Sequence, residues 1–289
     1  MFSGSIVALA TPMNEDCSLD FNSLEKLIEN QITAGTDAIV VSGTTGESAT
    51  LTTAEKLELI KRSLAIANNR VPIIAGTGTN STAVSIELTQ QAKDLGVDAC
   101  LLVTPYYNRP MQHGLIAHYK SIANAVAIPQ ILYNVPTRTA VDLQVDSIAS
   151  LSQEDNIIGI KEAVVDKNKW QQILENSTKD FVLYSGDDAS CVECIECGAK
   201  GVISVAANIA PNMMHTMCEA VLEGKIEQAN ELNTKLQPLF DALFIETNPI
   251  PVKYALKLKQ SINSGIRLPL TQLSDSHKKL ITKLVANYK

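Results

Sequence analysis

The strongest constraint on how this chain can fold is an alternation, repeated eight times, of short continuous apolar runs with longer stretches of helical periodicity. The apolar runs are "SIVALA", "DAIVVSG", "PIIAG", "ACLLV", "PQILYN", "IIGIKE", "FVLYSG" and "GVISVAA"; the stretches between them include "SLEKLIENQITAG", "AEKLELIKRSLAIANN" and "AVSIELTQQAKDLG". Runs of this kind have no polar face, so both sides of each strand are buried, as in a parallel sheet covered by helices. Successive runs begin roughly 20–35 residues apart, the spacing of βαβ units. Eight such units in fewer than about 250 residues predict an α/β fold of the (β/α)8, or TIM barrel, type. An open doubly wound sheet is the other arrangement to weigh. It usually carries a glycine-rich dinucleotide turn after its first strand, and "LATPMNED" is not one. Thr52 with Glu55 forms a capping-box pattern, and Gly35 and Gly96 close the first and third helical stretches. The alternation is complete near residue 224. Three further helical patterns, "KIEQANELNTKLQPLFDALF", "NPIPVKYALKLKQ" and "DSHKKLITKLVANYK", make residues 225–289 a C-terminal helical extension of a barrel spanning 1–224.

Composition narrows the function classes. The chain has 289 residues, 45% hydrophobic and 19% charged, with a net charge of −7 and no basic cluster. That balance argues against nucleic acid or an anionic membrane surface as partner. The apolar runs are strand-length, too short for a transmembrane helix, and the start "MFSGSIVALATPM" lacks the positive segment of a signal peptide. The expected location is cytoplasmic. Three of six cysteines sit in "CVECIEC" (Cys191, Cys194, Cys197), a spacing shared with iron–sulfur and zinc sites. The fourth position of that pattern is Gly201 and no histidine is near. The segment therefore reads as a short helix from about Asp188 to Gly198, its cysteines facing the core.

A barrel of this type carries its chemistry at the C-terminal ends of its strands. Strand two ends in "SGTTGES", strand four in "TPYYN", strand five in "YNVPTRT", strand six in Lys161 and strand seven in "SGDD"; strand eight carries Ile203 and Ser204. Lys161 closes an otherwise apolar run. It is either a strand-end lysine reaching water along its stem, or a buried amine whose suppressed charge makes it a nucleophile toward a ketone or aldehyde. Tyr133, on the neighbouring strand, with Thr44 as relay, is the available acid–base group, because His113, His118, His215 and His277 all fall on helical segments. The "GTTGE" turn offers N–H groups and hydroxyls to a small carboxylate, or is simply a tight strand–helix turn. Arg138 could grip a second carboxylate or lie on the surface. The acidic Asp187 and Asp188 argue against a phosphate ligand.

The ordered set "GTTGE", "TPYYN", "YNVPTRT", "GIKEA" and "SGDD" resembles the dihydrodipicolinate synthase (4-hydroxy-tetrahydrodipicolinate synthase) family along essentially the whole chain. The resemblance implies condensation of pyruvate with L-aspartate 4-semialdehyde, the first committed step toward diaminopimelate and lysine. It implies an imine between Lys161 and pyruvate, with no metal or other cofactor. In the family pattern Thr45 holds the pyruvate carboxylate, and Tyr133, Thr44 and Tyr107 form a proton relay, Tyr107 entering from a neighbouring subunit. Arg138 receives the semialdehyde carboxylate, while Gly186 and Ile203 line the pocket. The implied assembly is a homotetramer, a dimer of dimers.

N-acetylneuraminate lyases and 2-keto-3-deoxy-sugar-acid aldolases share the lysine, the tyrosine and the turn, and are the alternative. Arg138 separates them, since a polyol aldehyde has no carboxylate at that place. A metal or redox barrel built on "CVECIEC" is a third and more distant reading. Lysine-inhibited members of the family bind lysine around the positions of Ser48, Ala49, Thr53, Lys56, Asn80, Val84 and Tyr106. Sensitive bacterial members usually present histidine in place of Lys56 and glutamate in place of Val84. Here the effector's ammonium loses a carboxylate and meets a like charge, so inhibition by lysine is expected to be weak or absent, as a steady-state assay with sub-millimolar lysine would read.

Overall fold

The computed structural model describes residues 2–288. Strands β1 (Gly4–Ala8), β2 (Ala38–Val41), β3 (Ile73–Gly76), β4 (Ala99–Val103), β5 (Gln130–Asn134), β6 (Ile157–Glu162), β7 (Val182–Ser185) and β8 (Gly201–Ser204) close in that order into a barrel. Each run read as a strand is one, and every residue of β1, β2, β5, β7 and β8 is buried. Helices α1 (Phe21–Thr33), α2 (Thr53–Ala67), α3 (Thr82–Leu95) and α4 (Gln112–Ala125) follow the first four strands. After β5 come the single turn α5 (Pro136–Thr139) and α6 (Val145–Leu151), then α7 (Lys167–Asn176), α8 (Cys191–Glu196) and α9 (Pro211–Leu222) behind β6, β7 and β8. Three more helices end the chain: α10 (Ile226–Leu243), α11 (Ile250–Leu258) and α12 (Asp275–Val285). None of the described helices is long and apolar enough to cross a membrane.

Local chemistry sets the helix ends. Thr52 and Glu55 form the reciprocal capping box at α2, and Asp20 caps α1 by accepting from the Ser23 N–H at 3.0 Å. Gly96 ends α3 in the left-handed conformation at φ +95, which glycine adopts without penalty.

The chain packs as two compact units, residues 74–203 and residues 1–73 with 204–289. In the first, the parallel register sets Tyr133, Lys161 and Tyr184 side by side across β5, β6 and β7, and sets Asn134, Glu162 and Ser185 in the next row. Successive residues of a strand face opposite ways, so Lys161 and Glu162 project to opposite faces. Behind the strands, the buried Glu162 carboxylate accepts from Asn134 Nδ2 at 2.9 Å, from the Val164 N–H at 2.7 Å and from Lys169 Nζ at 3.1 Å. Lys169 also reaches Asp142 at 2.6 Å, tying α7 and the loop after α5 to the end of β6.

In the second unit, the turn after β2 is held by residues that come much later in the chain. Glu47 is buried at φ +56 and pairs with Lys253 of α11, itself buried. Its other oxygen accepts from the Arg267 N–H at 3.0 Å. The Arg267 guanidinium grips Glu55 at both oxygens and donates to the carbonyls of Thr50 and Cys17. A buried ion pair is costly to break from one side, because the remaining charge is left without its partner. Replacing Lys253 by methionine should therefore lower unfolding free energy by about 3–5 kcal/mol, measured by urea denaturation, and adding Glu47→Gln should recover much of the loss. An unchanged urea midpoint for Lys253→Met would show that the pair does not hold the turn.

Candidate active site

Lys161 is 5% exposed, and its ammonium nitrogen lies 4.4 Å from the centroid of the Tyr133 ring. Burial pushes the Lys161 ammonium down to about 8; the Asp188 carboxylate opposes that shift and the Arg138 guanidinium adds to it. At neutral pH roughly a tenth of such an amine is unprotonated, against well under a thousandth for an ordinary lysine. Of the two readings of Lys161, the amine is not a strand-end group reaching water along its stem: it is buried, with its charged form disfavoured. Tyr184, fully buried, flanks it on the other side of the ladder.

Arg138 sits exposed on the single turn α5, which starts at Pro136 and ends at Ala140 in the left-handed conformation. The buried Thr139 hydroxyl anchors the turn, bonding the Val135 carbonyl at 3.2 Å and the Val141 carbonyl at 3.0 Å. Gly186 follows β7, and its N–H donates to the Glu162 carbonyl at 2.7 Å. A Cβ there would stand 2.9 Å from Ala163 Cβ and 3.0 Å from the Glu162 oxygen, so close approach of two backbones excludes any side chain. Ile203 is buried on β8.

Thr44 is half-buried and Thr45 is 2% exposed, both in the turn after β2. The left-handed residues of that turn are Ser42 and Glu47, not its glycines. Gly46 serves close packing instead, since a Cβ there would meet Thr11 Oγ1 at 3.1 Å and the Leu9 carbonyl at 3.2 Å. Asn248 Nδ2 donates to Thr45 Oγ1 at 3.0 Å. Tyr107 is 89% exposed at φ +74, a strained conformation for a bulky side chain.

The structure thus brings Lys161, Tyr133 and Arg138 into one electrostatic group and leaves Tyr107 standing in solvent. Of the residues around the implied lysine pocket, Ser48 and Lys56 are half-buried and Ala49 and Thr53 exposed; in the other unit Asn80 is half-buried, and Val84 and Tyr106 are exposed. Burial holds the Lys56 ammonium below its usual range.

The helix carrying "CVECIEC" begins at Cys191, later than Asp188, because Asp187 accepts from the Ser190 N–H and hydroxyl and keeps the intervening residues in a turn. Cys191 and Cys194 are fully buried, and desolvation pushes the Cys194 thiol well above the usual range. Among the described residues no group of three or more His, Cys, Asp or Glu is placed to hold a metal ion.

Sequence reasoning missed Tyr184, the electrostatic part of Asp188, and Asn248. Tyr184 had a usable signal: like Tyr133 and Lys161, it stands next to last in its strand. Asn248 had none, since it is 203 residues from the threonine it contacts.

The profile of the Dihydrodipicolinate synthetase family matches residues 1–288. The 4-hydroxy-tetrahydrodipicolinate synthase of Stutzerimonas stutzeri is 54% identical over 277 residues, covering 96% of this chain and 95% of that protein. The crystal structure of the chloride-inhibited dihydrodipicolinate synthase from Acinetobacter baumannii complexed with pyruvate is similar with a TM-score of 0.98 at 49% identity, covering 100% of this chain and 99% of that one. The dihydrodipicolinate synthase of Aquifex aeolicus gives a TM-score of 0.97 at 42% identity over 99% and 98% of the two chains.

The shifted Lys161 amine has a measurable pH signature. Its modification by an amine-selective electrophile, mapped by peptide mass, should rise with pH through a midpoint near 8. Asp188→Asn removes a charge that stabilises the ammonium, so that midpoint should fall. A midpoint at the ordinary lysine value would show a solvated amine.

Proposed function

This chain belongs to the dihydrodipicolinate synthetase family and catalyses the condensation of pyruvate with L-aspartate 4-semialdehyde that leads to lysine, and we propose that Lys161 carries this reaction as a Schiff-base amine. The observation that supports the assignment is the buried Lys161 nitrogen over the Tyr133 ring, depressed to about 8. The neutral amine attacks the pyruvate ketone carbon, and loss of water from the carbinolamine leaves an imine. The imine withdraws electrons, so a methyl proton departs and an enamine forms. That enamine attacks the aldehyde carbon of the semialdehyde, whose oxygen takes up a proton. The amino group of the second substrate then displaces Lys161 from the former ketone carbon and closes the ring.

Each proton in this sequence needs a carrier. Tyr133 fills that role beside the amine, with Thr44 and Tyr107 completing the relay. Thr45 receives the pyruvate carboxylate, Arg138 the semialdehyde carboxylate, and Gly186 and Ile203 line the pocket by backbone groups. Incubation with pyruvate followed by borohydride should add one reduced pyruvate to the protein at Lys161, read by intact mass and peptide mapping. Folded protein without the adduct would exclude the assignment. Arg138→Leu should lower kcat/KM for the semialdehyde by roughly ten- to a hundredfold, the worth of a charge-assisted hydrogen bond, while pyruvate can still be trapped on Lys161.

The reading also takes the enzyme to be a homotetramer built as a dimer of dimers, working in the cytoplasm. Tyr107 supports the first part: an aromatic side chain held strained in solvent, with Tyr106, Met111 and Val84 also exposed in the same unit, is what a subunit interface would bury. Six free cysteines suit a reducing compartment. Feedback by lysine is weak in this reading, because Lys56 presents a cation and Val84 no carboxylate. If Tyr107 enters the site of a neighbouring subunit, co-expressed Tyr107→Phe and Lys161→Met chains should recover activity that neither has alone. Absence of recovery in verified mixed oligomers would place Tyr107 in its own subunit's chemistry or outside it.

A further inference from the structure

The C-terminal helical segment contributes a buried amide to the turn assigned above to the pyruvate carboxylate. Asn248, at the entrance to α11, is 4% exposed and donates through Nδ2 to Thr45 Oγ1 at 3.0 Å. An amide N–H has no acceptor capacity, so in this contact the Thr45 oxygen is the acceptor. The threonine hydroxyl carries a single proton, and with its oxygen engaged as acceptor from Asn248 that proton is directed elsewhere. A carboxylate ligand accepts only, so it is recognised by a hydroxyl whose proton is available. The same turn is braced two residues on, where the buried Glu47 meets Lys253 and the Arg267 N–H. The Glu47 N–H donates to the Thr44 carbonyl at 3.1 Å, so that brace reaches the threonine pair through the backbone.

We propose that Asn248 is a positioning residue for the pyruvate carboxylate, holding the Thr45 hydroxyl with its proton available to the substrate. Lys253 and Arg267 keep the turn in the shape that presents it. The inference rests on Thr45 being the carboxylate site. It gives the helical segment after the barrel a part in substrate recognition as well as in packing. Asn248 touches no substrate atom in this scheme and acts through Thr45.

The test is a double-mutant cycle between Asn248 and Thr45, read on pyruvate alone. Borohydride trapping on Lys161 at increasing pyruvate gives a half-saturating concentration that does not involve the semialdehyde. Asn248→Asp keeps the size of the side chain but exchanges its donor for an acceptor that draws the Thr45 proton away from the substrate. It should raise the half-saturating pyruvate about ten- to a hundredfold, and Asn248→Ala should raise it by less. The semialdehyde KM at saturating pyruvate should change by no more than about twofold, because Arg138 recognises that substrate. In a Thr45→Val background, Asn248→Ala should have no further effect.

If Thr45→Val raises the half-saturating pyruvate while both Asn248 variants leave it unchanged, the positioning role is overturned and the carboxylate reading stands. If the effects of Thr45→Val and Asn248→Ala multiply in the double variant, Asn248 acts independently of Thr45 and the inference is also overturned. If Thr45→Val itself changes nothing, the carboxylate reading fails and the inference fails with it. Should Asn248→Asp not fold, judged by thermal melting, Asn248→Ala and the cycle with Thr45→Val carry the same decision.

Discussion

Withdrawal of one amine from water sets the electrostatics at the ends of β5, β6 and β7. A lowered lysine pKa means that the fold disfavours the charged form, here by roughly 3 kcal/mol for a shift from 10.5 to about 8. That cost is present at pH below about 8 and is relieved as pH rises from there toward the unfolded value. Asp188 limits the shift and Arg138 extends it, so the two side chains around Lys161 tune the amine in opposite directions. Lys253 is buried to a similar degree and is desolvated in the same way, yet its surroundings give it another task. It faces the Glu47 carboxylate at ion-pair distance and spends its charge on holding a turn. Burial alone does not make a lysine reactive; the partner decides.

The geometry of the strand ends follows from the ladder. Because β5, β6 and β7 run in parallel register, one row carries Tyr133, Lys161 and Tyr184, and the next carries Asn134, Glu162 and Ser185. The two rows divide the work. The first presents an amine over the Tyr133 ring, with the buried Tyr184 as its register partner on β7. The second gathers Asn134, Glu162, Lys169 and Asp142 into a satisfied polar cluster that fixes the strand ends from behind. Glu162 is buried without isolation, since an amide, a backbone N–H and an ammonium all meet its carboxylate.

The parts of the fold set by local pattern were readable. All eight strands stand where continuous apolar runs predicted them, and the capping box at Thr52 and Glu55 is formed as its residues implied. Lys161 stood out because a cation interrupts a run that otherwise has no polar face. What could not be read are pairings across long chain separations. Nothing near Glu47 announces Lys253, and nothing in "SGTTGE" shows that its left-handed residues are Ser42 and Glu47 instead of its glycines. Glycine at 46 answers to packing against Thr11 and Leu9, a requirement invisible without the neighbours. The helix bearing the three cysteines starts at Cys191 for a similar reason, since the Asp187 side chain bonds Ser190 in a turn that propensity did not reveal.

The brace on the turn after β2 also orders events in time. Glu47 reaches its lysine 206 residues later in the chain and an arginine N–H 220 residues later. On a ribosome adding about 5–20 residues per second, those partners emerge roughly 10–45 s after Glu47 itself. Through that interval a carboxylate destined for the interior has no cation to meet and remains in water. The amine of Lys161 is synthesised well before the clasp that completes the turn. A growing polypeptide therefore carries the amine of β6 long before the turn after β2 can be clasped, and that turn is completed only when the C-terminal helices have been made.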